Sequence, residues 1–401
     1  MQEVIDLFEK EFKKKLDDIK LLSYKRYLFD DLINQSKYVD TITFIKGIRG
    51  VGKTTICLQL AQTLLEQNNK VIYFSADHII FAQHNLYDFV SYLYEHEYKY
   101  VFIDEIHLYE NCAQELKNMV DNFKIKIFVT GSNGLKIQKT KYDLSRRAVV
   151  KELTPLSYRE FIALKETKEF KSTHLNEVLA DYKKLTFEYK YAPLDLYWSK
   201  GALPFFLKYD DTQYFEIVKS ILDKLIYEDL MTYNINKDTI WKAKNILLYL
   251  AQNPPSEINP NSIAGVVGLS RDTVINVLEA FKDIGVIREI ASTKQGKNTL
   301  KNNKKYLLVP PFRSILCKLS LTKPNLGALR EDFFINHVYQ LQPKYFKTIK
   351  SPDYVIANNI FEIGGKTKSK RQIAGIKKSY LVKDTSFSQD SIPLYLFGYL
   401  Y

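Results

Sequence analysis

Gly47-Ile48-Arg49-Gly50-Val51-Gly52-Lys53-Thr54 is the stretch that decides how the first third of this chain folds. It satisfies the spacing G-x-x-x-x-G-K-[ST]. A β-rich run, Thr41–Ile45, leads into it, and a helical pattern, Thr54–Glu66, leads out, with Ile56, Leu60 and Leu64 on one face. Gly50 and Gly52 allow the backbone to curl, so that successive N–H groups and the helix N-terminus converge on an anion. In that context residues Gly47 to Thr55 read as a cradle for the phosphates of ATP. Lys53 reaches the β and γ phosphates, and the Thr54 hydroxyl is a ligand for Mg²⁺.

Outward from this loop, short apolar runs alternate with helical patterns: Ile42–Ile45, Val71–Ser75, Tyr100–Ile103, Ile125–Thr130 and Ala148–Leu153. Alternation of that kind predicts βαβ units around a parallel sheet. The third run ends in Asp104 and Glu105. An acid at the end of a strand suits the Mg²⁺ shell, and the next acid suits a base that activates water. The alternative is a strand ending in two solvated acids. The fourth run ends in Thr130, Gly131 and Ser132; Ser132 or Thr130 would lie beside the γ-phosphate if this strand adjoins the Asp104 strand. Arg146 and Arg147 precede the fifth run, where either could serve as an arginine finger, in its own site or a neighbour's. A solvated pair of arginines is the plainer alternative.

Charge is unevenly placed along the 401 residues. The formal net charge is +12, and residues 301–401 alone hold 17 basic against 6 acidic residues, whereas residues 1–150 hold 21 against 20. A uniformly basic nucleic-acid coat is therefore excluded, and a polyanion would feel the last quarter most strongly. The hydrophobic content, 46%, excludes wholesale disorder. The N-terminal stretch lacks the apolar core of a secretory signal, and no run approaches the length of a membrane helix. Cys57, Cys112 and Cys317 make no metal-ligand spacing. A cytoplasmic chain without a membrane partner is the expectation.

Beyond residue 155 the pattern turns helical to about 235, with Lys200-Gly-Ala-Leu-Pro204 as a turn. Three helices follow, Trp241–Ala251, Asn261–Val267 and Arg271–Asp283, the last capped by Ser270. Two strands, Gly285–Ile290 and Lys305–Val309, complete the order of a winged helix-turn-helix. Its third helix is nearly neutral, with Val274, Val277, Leu278 and Phe281 reading as core. The intervening loop carries Lys294, Lys297, Lys301, Lys304 and Lys305, which suits contact with DNA phosphates, although a structural or protein-docking role fits equally. The remainder predicts a helix at Arg330–Gln340, several strands, a basic helix at Lys368–Lys378 and two closing strands.

The order GIRGVGKTT, IDEIH, VTGSN, LSRRAVVKELTPLSYREF and YWSKGALP resembles the prokaryotic ATPases that join an AAA-type P-loop core to a C-terminal domain long labelled as of unknown function. The resemblance spans nearly the whole chain. The segment Thr154–Phe161 after the paired arginines and the turn Gly201–Pro204 are its more particular marks. The family has Gly before its first arginine where this chain has Ser145 and Arg146, and often Gln where this chain has His107. Near the C-terminus, P-D at 352–353 and E-I-G-G-K at 362–366 are similar to the PD-(D/E)xK nuclease core. There Asp353 and Glu362 would hold Mg²⁺, Glu331 on a preceding helix would complete the acids, and Lys366 and Gln372 would assist. Gly364 stands where the motif has its lysine, so Lys366 would have to reach back, or the site is dead.

Together these readings predict an α/β chain in four parts. They are a P-loop ATPase core of the ASCE/AAA type with an N-terminal helix (1–155), a helical extension (156–235), a winged helix-turn-helix (236–315) and a small α/β nuclease-like domain (316–401). The expected cofactors are ATP and Mg²⁺. The expected partners are DNA and either a second copy of the chain or another protein.

Overall fold

A computed structural model of the chain describes residues 1–131, 144, 146–233, 235–293, 304–347, 351–384 and 390–401, excepting the side chain of Lys304. The chain divides into two compact units, Met1–Thr154 and Pro155–Tyr401.

In the first unit the apolar runs form five strands: β1 (Ile42–Lys46), β2 (Val71–Ser75), β3 (Tyr100–Asp104), β4 (Lys126–Gly131) and β5 (Ala148–Glu152). Their order is β2-β3-β4-β1-β5, and every pairing is parallel. Nearly every residue of β1 to β4 is buried, as expected of strands covered by helices on both faces. The register aligns Lys46 with Gly131 and with Glu152, and Ser75 with Asp104. The carboxyl ends of β1, β3 and β4 therefore share one rim of the sheet, where ligands bind in open α/β folds.

Helices α1 (Gln2–Ile19), α2 (Phe29–Gln35), α3 (Lys53–Glu66), α4 (Leu86–Glu95) and α5 (Cys112–Asn122) cover this sheet. Helix α1 buries Ile5, Phe8, Phe12 and Ile19 at helical spacing. The Phe8 ring stacks on Phe74 at 5.3 Å and meets Phe89 edge-on at 5.5 Å. Helix α3 is buried on several sides, including Ile56, Cys57, Leu60 and Leu64, because it carries the chain from the loop across the sheet.

The second unit opens with the helix Tyr158–Glu166, whose capping box joins Ser157 and Glu160. Further helices cover Leu175–Glu188, Asp211–Tyr227, Lys237–Gln252, Pro260–Val267 and Arg271–Ile284. Ser270 caps the last of these, accepting from Thr273 N at 3.1 Å, and Val274, Val277, Leu278 and Phe281 are buried. Eight strands follow one another across a single sheet: β6 (Glu257–Ile258), β7 (Ile287–Ser292), β8 (Lys304–Leu308), β9 (Lys344–Tyr345), β10 (Tyr354–Ile356), β11 (Asn359–Gly364), β12 (Ser379–Lys383) and β13 (Ile392–Pro393). Their order is β13-β12-β11-β10-β9-β7-β8-β6, so the hairpin β7–β8 and the C-terminal strands are continuous through the parallel pair β7–β9.

Two local expectations change. The helix placed at Arg330–Gln340 runs from Leu326 to Val338, because Asn325 caps it, accepting from Ala328 N at 3.0 Å. The helix expected at Lys368–Lys378 is only a short 3₁₀ turn, Lys370–Ile373. Gly375 adopts a φ of 76°, and like charges three and four residues apart disfavour continuous helix there.

The helix Leu326–Val338 is fixed by two buried polar anchors. Asp332 pairs with Arg313, whose Nη1 also donates to the carbonyls of Leu250 and Ala251, each at 2.8 Å. One helical turn on, His337 Nδ1 donates to Phe333 O at 2.8 Å and Nε2 accepts from Tyr158 N at 3.0 Å. Burial pushes this imidazole down to about 4, the Phe333 carbonyl partly opposing the shift.

Candidate functional site

Gly50 and Gly52 take left-handed φ values of 83° and 96°, which lets the loop close over the first turn of α3. Lys53 begins that helix, buried at 5% exposure, and its Nζ donates to Gly47 O at 2.9 Å and Ile48 O at 3.3 Å. The ammonium is thus held inside the arc of the loop. Ile48 and Val51 point inward to the core, Arg49 is half-buried, and Thr54 and Thr55 lie half-buried on the first turn.

Asp104 ends β3 at 5% exposure, and three hydroxyls converge on it. Thr54 Oγ1 donates to Oδ2 at 2.6 Å, the Tyr73 hydroxyl donates to the same oxygen, and Thr130 Oγ1 donates to Oδ1. Burial and then the Asp104 charge hold the Tyr73 phenol well above its ordinary range, so it remains a donor. Glu105 follows with φ 51° and ψ 37°, its N–H donating to Thr130 Oγ1 at 3.1 Å and its Oε2 lying 3.3 Å from His107 Nδ1. A non-glycine residue seldom adopts this region, and here it sets the direction in which the Glu105 side chain leaves the end of β3.

The structure therefore brings together Lys53, Thr54, Asp104, Glu105 and Thr130, which the sequence places in separate segments. Of the two γ-phosphate candidates, Thr130 on β4 reaches the Asp104 carboxylate; Ser132 lies outside the described residues. The Thr54 hydroxyl beside a buried carboxylate is a set of hard oxygen donors that fits Mg²⁺.

The arginines are placed differently. Arg147 O accepts from Ile42 N at 2.7 Å, at the amino end of β1, and its guanidinium pairs with Asp121 at 2.6 and 3.1 Å. Arg146 beside it is exposed. The four steps from Ile42 to Lys46 correspond to roughly 13 Å of strand. Neither arginine comes to the phosphate loop of its own chain.

A basic residue that the motifs did not indicate does serve the loop. Arg26, 7% exposed, donates from Nη1 to Val51 O and from Nη2 to Thr154 O, both at 2.8 Å, and so ties the loop to the segment after β5. Its neighbour Tyr27 donates to Glu152 O at 2.5 Å. No local pattern marks Arg26, because its partners stand 25 and 128 residues away.

In the second unit Asp353 and Glu362 lie on the β10–β11 hairpin, and Asp353 Oδ2 accepts from Ile363 N at 2.8 Å. Glu331 approaches from the helix Leu326–Val338, accepting from the Tyr354 hydroxyl at 2.6 Å. Burial first, and then the charges of Glu331 and Glu362, push the Asp353 carboxyl up to about 7. Lys305, expected in a solvent loop, is instead 7% exposed; its ammonium lies 2.5 Å from Glu331 and 4.6 Å over the Tyr354 ring. Lys294, Lys297 and Lys301 lie outside the described residues.

The lysine that meets Glu362 is Lys368, not Lys366. Lys366 is exposed, and its carbonyl accepts from Lys383 Nζ at 3.1 Å. Gln372 joins Lys368 through its Oε1 at 2.9 Å. Among the described residues no group of three or more His, Cys, Asp or Glu side chains is placed to hold a metal ion. Two carboxylates with waters and a phosphate nonetheless suit Mg²⁺, which seldom takes an all-protein cage.

The parallel sheet order, the loop after β1 and the acids after β3 define an AAA-type P-loop ATPase domain. Residues 39–162 match the family described as AAA domain, and residues 192–321 match one described as Domain of unknown function (DUF8612). The chain is 28% identical over 389 residues to the uncharacterized protein MJ1637 of Methanocaldococcus jannaschii, covering 87% of this chain and 82% of that one. Among solved structures it is similar to Aeropyrum pernix ORC1 in complex with DNA, at 12% identity and a TM-score of 0.33, over 74% of this chain and 93% of that chain. It is also similar to AMPPCP-bound DnaA of Aquifex aeolicus, at 14% identity and a TM-score of 0.28, over 64% and 84%. Among the described residues no helix is long and apolar enough to cross a membrane.

Proposed function

We propose that this chain is an Mg²⁺-dependent ATPase that couples nucleotide state to the binding or processing of DNA by its C-terminal part. The observation that carries the first half is the convergence of Thr54, Thr130 and Tyr73 on Asp104 beside the phosphate loop. Residues Gly47–Thr55 bind the triphosphate, Lys53 neutralises its terminal phosphates, and Thr54 and Asp104 hold the ion. When bound, Mg²⁺ supplies charge neutralisation on the phosphate oxygens. Glu105 takes a proton from the attacking water, whose oxygen joins the γ-phosphorus as the bond to the ADP oxygen breaks. The placement of Arg146 and Arg147 favours a finger supplied to a neighbouring copy over one acting in cis.

The second half rests on charge. Residues 366–383 hold seven basic residues and no acid, next to the carboxylate hairpin. We read the three helices followed by β7–β8 as a winged helix-turn-helix, and the module from 316 as nuclease-like, with Asp353, Glu362 and Glu331 as its acids. The four-part division at 155, 235 and 315 belongs to this proposal.

Glu105→Gln tests the reading: steady-state hydrolysis should cease while ATP affinity persists. Undiminished turnover in the variant would show that Glu105 is not the base. A second reading, a slow nucleotide switch that docks a protein partner and carries a dead nuclease-like module, draws support from the Glu105–His107 contact at 3.3 Å. Turnover slower than nucleotide release, with a partner retained only in the ATP form, would favour it.

A further inference from the structure

The carboxylate hairpin has its motif lysine missing, and the structure shows what fills that place. Glu362 and Gly364 stand two residues apart on β11, so they face the same side of the strand. A Cβ built on Gly364 would lie 2.4 Å from both Cβ and Cγ of Lys368 and 3.0 Å from its Cδ. The stem of Lys368 therefore runs directly across the position from which a side chain at 364 would project. Its ammonium ends on the Glu362 carboxylate, which is wholly buried, and donates to Gln372 Oε1 at 2.9 Å. Gln372 Nε2 in turn donates to Ser351 O at 2.9 Å, which fixes the amide with its oxygen toward the lysine.

We propose that Lys368 is the positioning lysine of the Asp353–Glu362 site, delivered from the turn after β11 across Gly364 to hold the Glu362 carboxylate and the Gln372 amide in place beside Asp353. The inference rests on the nuclease-like reading above and replaces Lys366 in it. A lysine at 364 and one at 368 cannot both be present in this geometry, since their Cβ atoms would overlap. The glycine and the displaced lysine are thus one feature, an exchange of positions between strand and turn. The Lys368 ammonium reduces the cost of burying Glu362 without cancelling it, since burial still holds that carboxyl above its ordinary range.

The test uses the full chain with supercoiled plasmid and a single-stranded oligonucleotide, in Mg²⁺ or Mn²⁺. Lys368→Ala should lower Asp353-dependent cleavage by roughly 10- to 100-fold, as loss of a supporting contact does. Lys366→Ala should lower it far less, by no more than the loss of one phosphate contact. Gly364→Lys combined with Lys368→Gly, which returns the lysine to the strand, should recover most of the loss, an outcome a structural role alone does not yield. A second measurement needs no turnover: Lys368→Ala should lower the melting temperature in the parent but not in a Glu362→Gln background, and Lys366→Ala should lower it in neither. Cleavage that falls with Lys366→Ala and survives Lys368→Ala overturns the inference while the nuclease-like reading stands. Absence of any Asp353-dependent cleavage removes that reading and this role together, leaving Lys368 a structural counter-ion. Absence of coupling between 362 and 368 overturns the inference whatever the cleavage shows.

Discussion

The helix that carries Glu331 depends on a neutral imidazole, and acid should release it. His337 Nε2 can accept from Tyr158 N only while unprotonated. The folded-state value of about 4 lies below the ordinary 6.5, so the unfolded chain binds the proton more readily. This contribution to stability is therefore complete above about pH 6.5 and is lost as pH falls toward 4. Between about pH 7.5 and pH 5 the linkage amounts to about 2 kcal/mol. His337→Gln keeps an acceptor for Tyr158 N but abolishes the titration. It should cost about 1–2 kcal/mol near pH 7.5, through the lost ring contacts and hydrogen bond. That difference should narrow or reverse near pH 5. Both tryptophans, Trp198 and Trp241, lie in the second unit, so their fluorescence in urea titrations reports unfolding of that unit alone. Parallel stability curves for parent and variant between pH 5 and 7.5 would refute the reasoning.

Three further outcomes follow from contacts in the two units. Arg26→Met leaves the Val51 and Thr154 carbonyls without their donor, and should destabilise the first unit by about 2–3 kcal/mol while weakening ATP binding; melting curves and nucleotide titration read both. Arg146→Ala and Arg147→Ala should leave ATP affinity intact, since neither reaches its own loop, and a marked loss of binding in either would contradict the placement at the amino end of β5. For DNA, affinity should fall steeply with salt, and Lys377→Ala with Lys378→Ala, both exposed, should lower the log–log salt slope by about 2 if each meets one phosphate. A slope unchanged by the double substitution would remove these lysines from the interface.

The ATPase core was legible because its signals are short-range. Residues 47–54 state a backbone curl and a charge in eight positions, and the apolar runs 42–45, 71–75, 100–103 and 125–130 each became a strand of one parallel sheet. Ser270 as a helix cap and the buried face of Val274, Val277, Leu278 and Phe281 follow from the same local rules. At the C-terminus the similarity to the nuclease core places Asp353 and Glu362 on two adjoining strands, and β10 and β11 do pair antiparallel. Glu331, named there by the same resemblance, accepts from the Tyr354 hydroxyl, while its neighbour Asp332 is held by Arg313, a partner 19 residues away.

What chain order left open was the destination of the long cations. Arg26 and Lys305 turned inward, Arg147 went to Asp121, and Lys368 rather than Lys366 met Glu362. A lysine or arginine stem spans several ångströms and can end on any acid or carbonyl within that sphere. Which one it meets depends on how strands and helices remote in sequence have packed, and on where a glycine leaves room. The periodicity of apolar residues and the conformational demands of glycine settle the backbone; the three-dimensional packing settles which charges face one another.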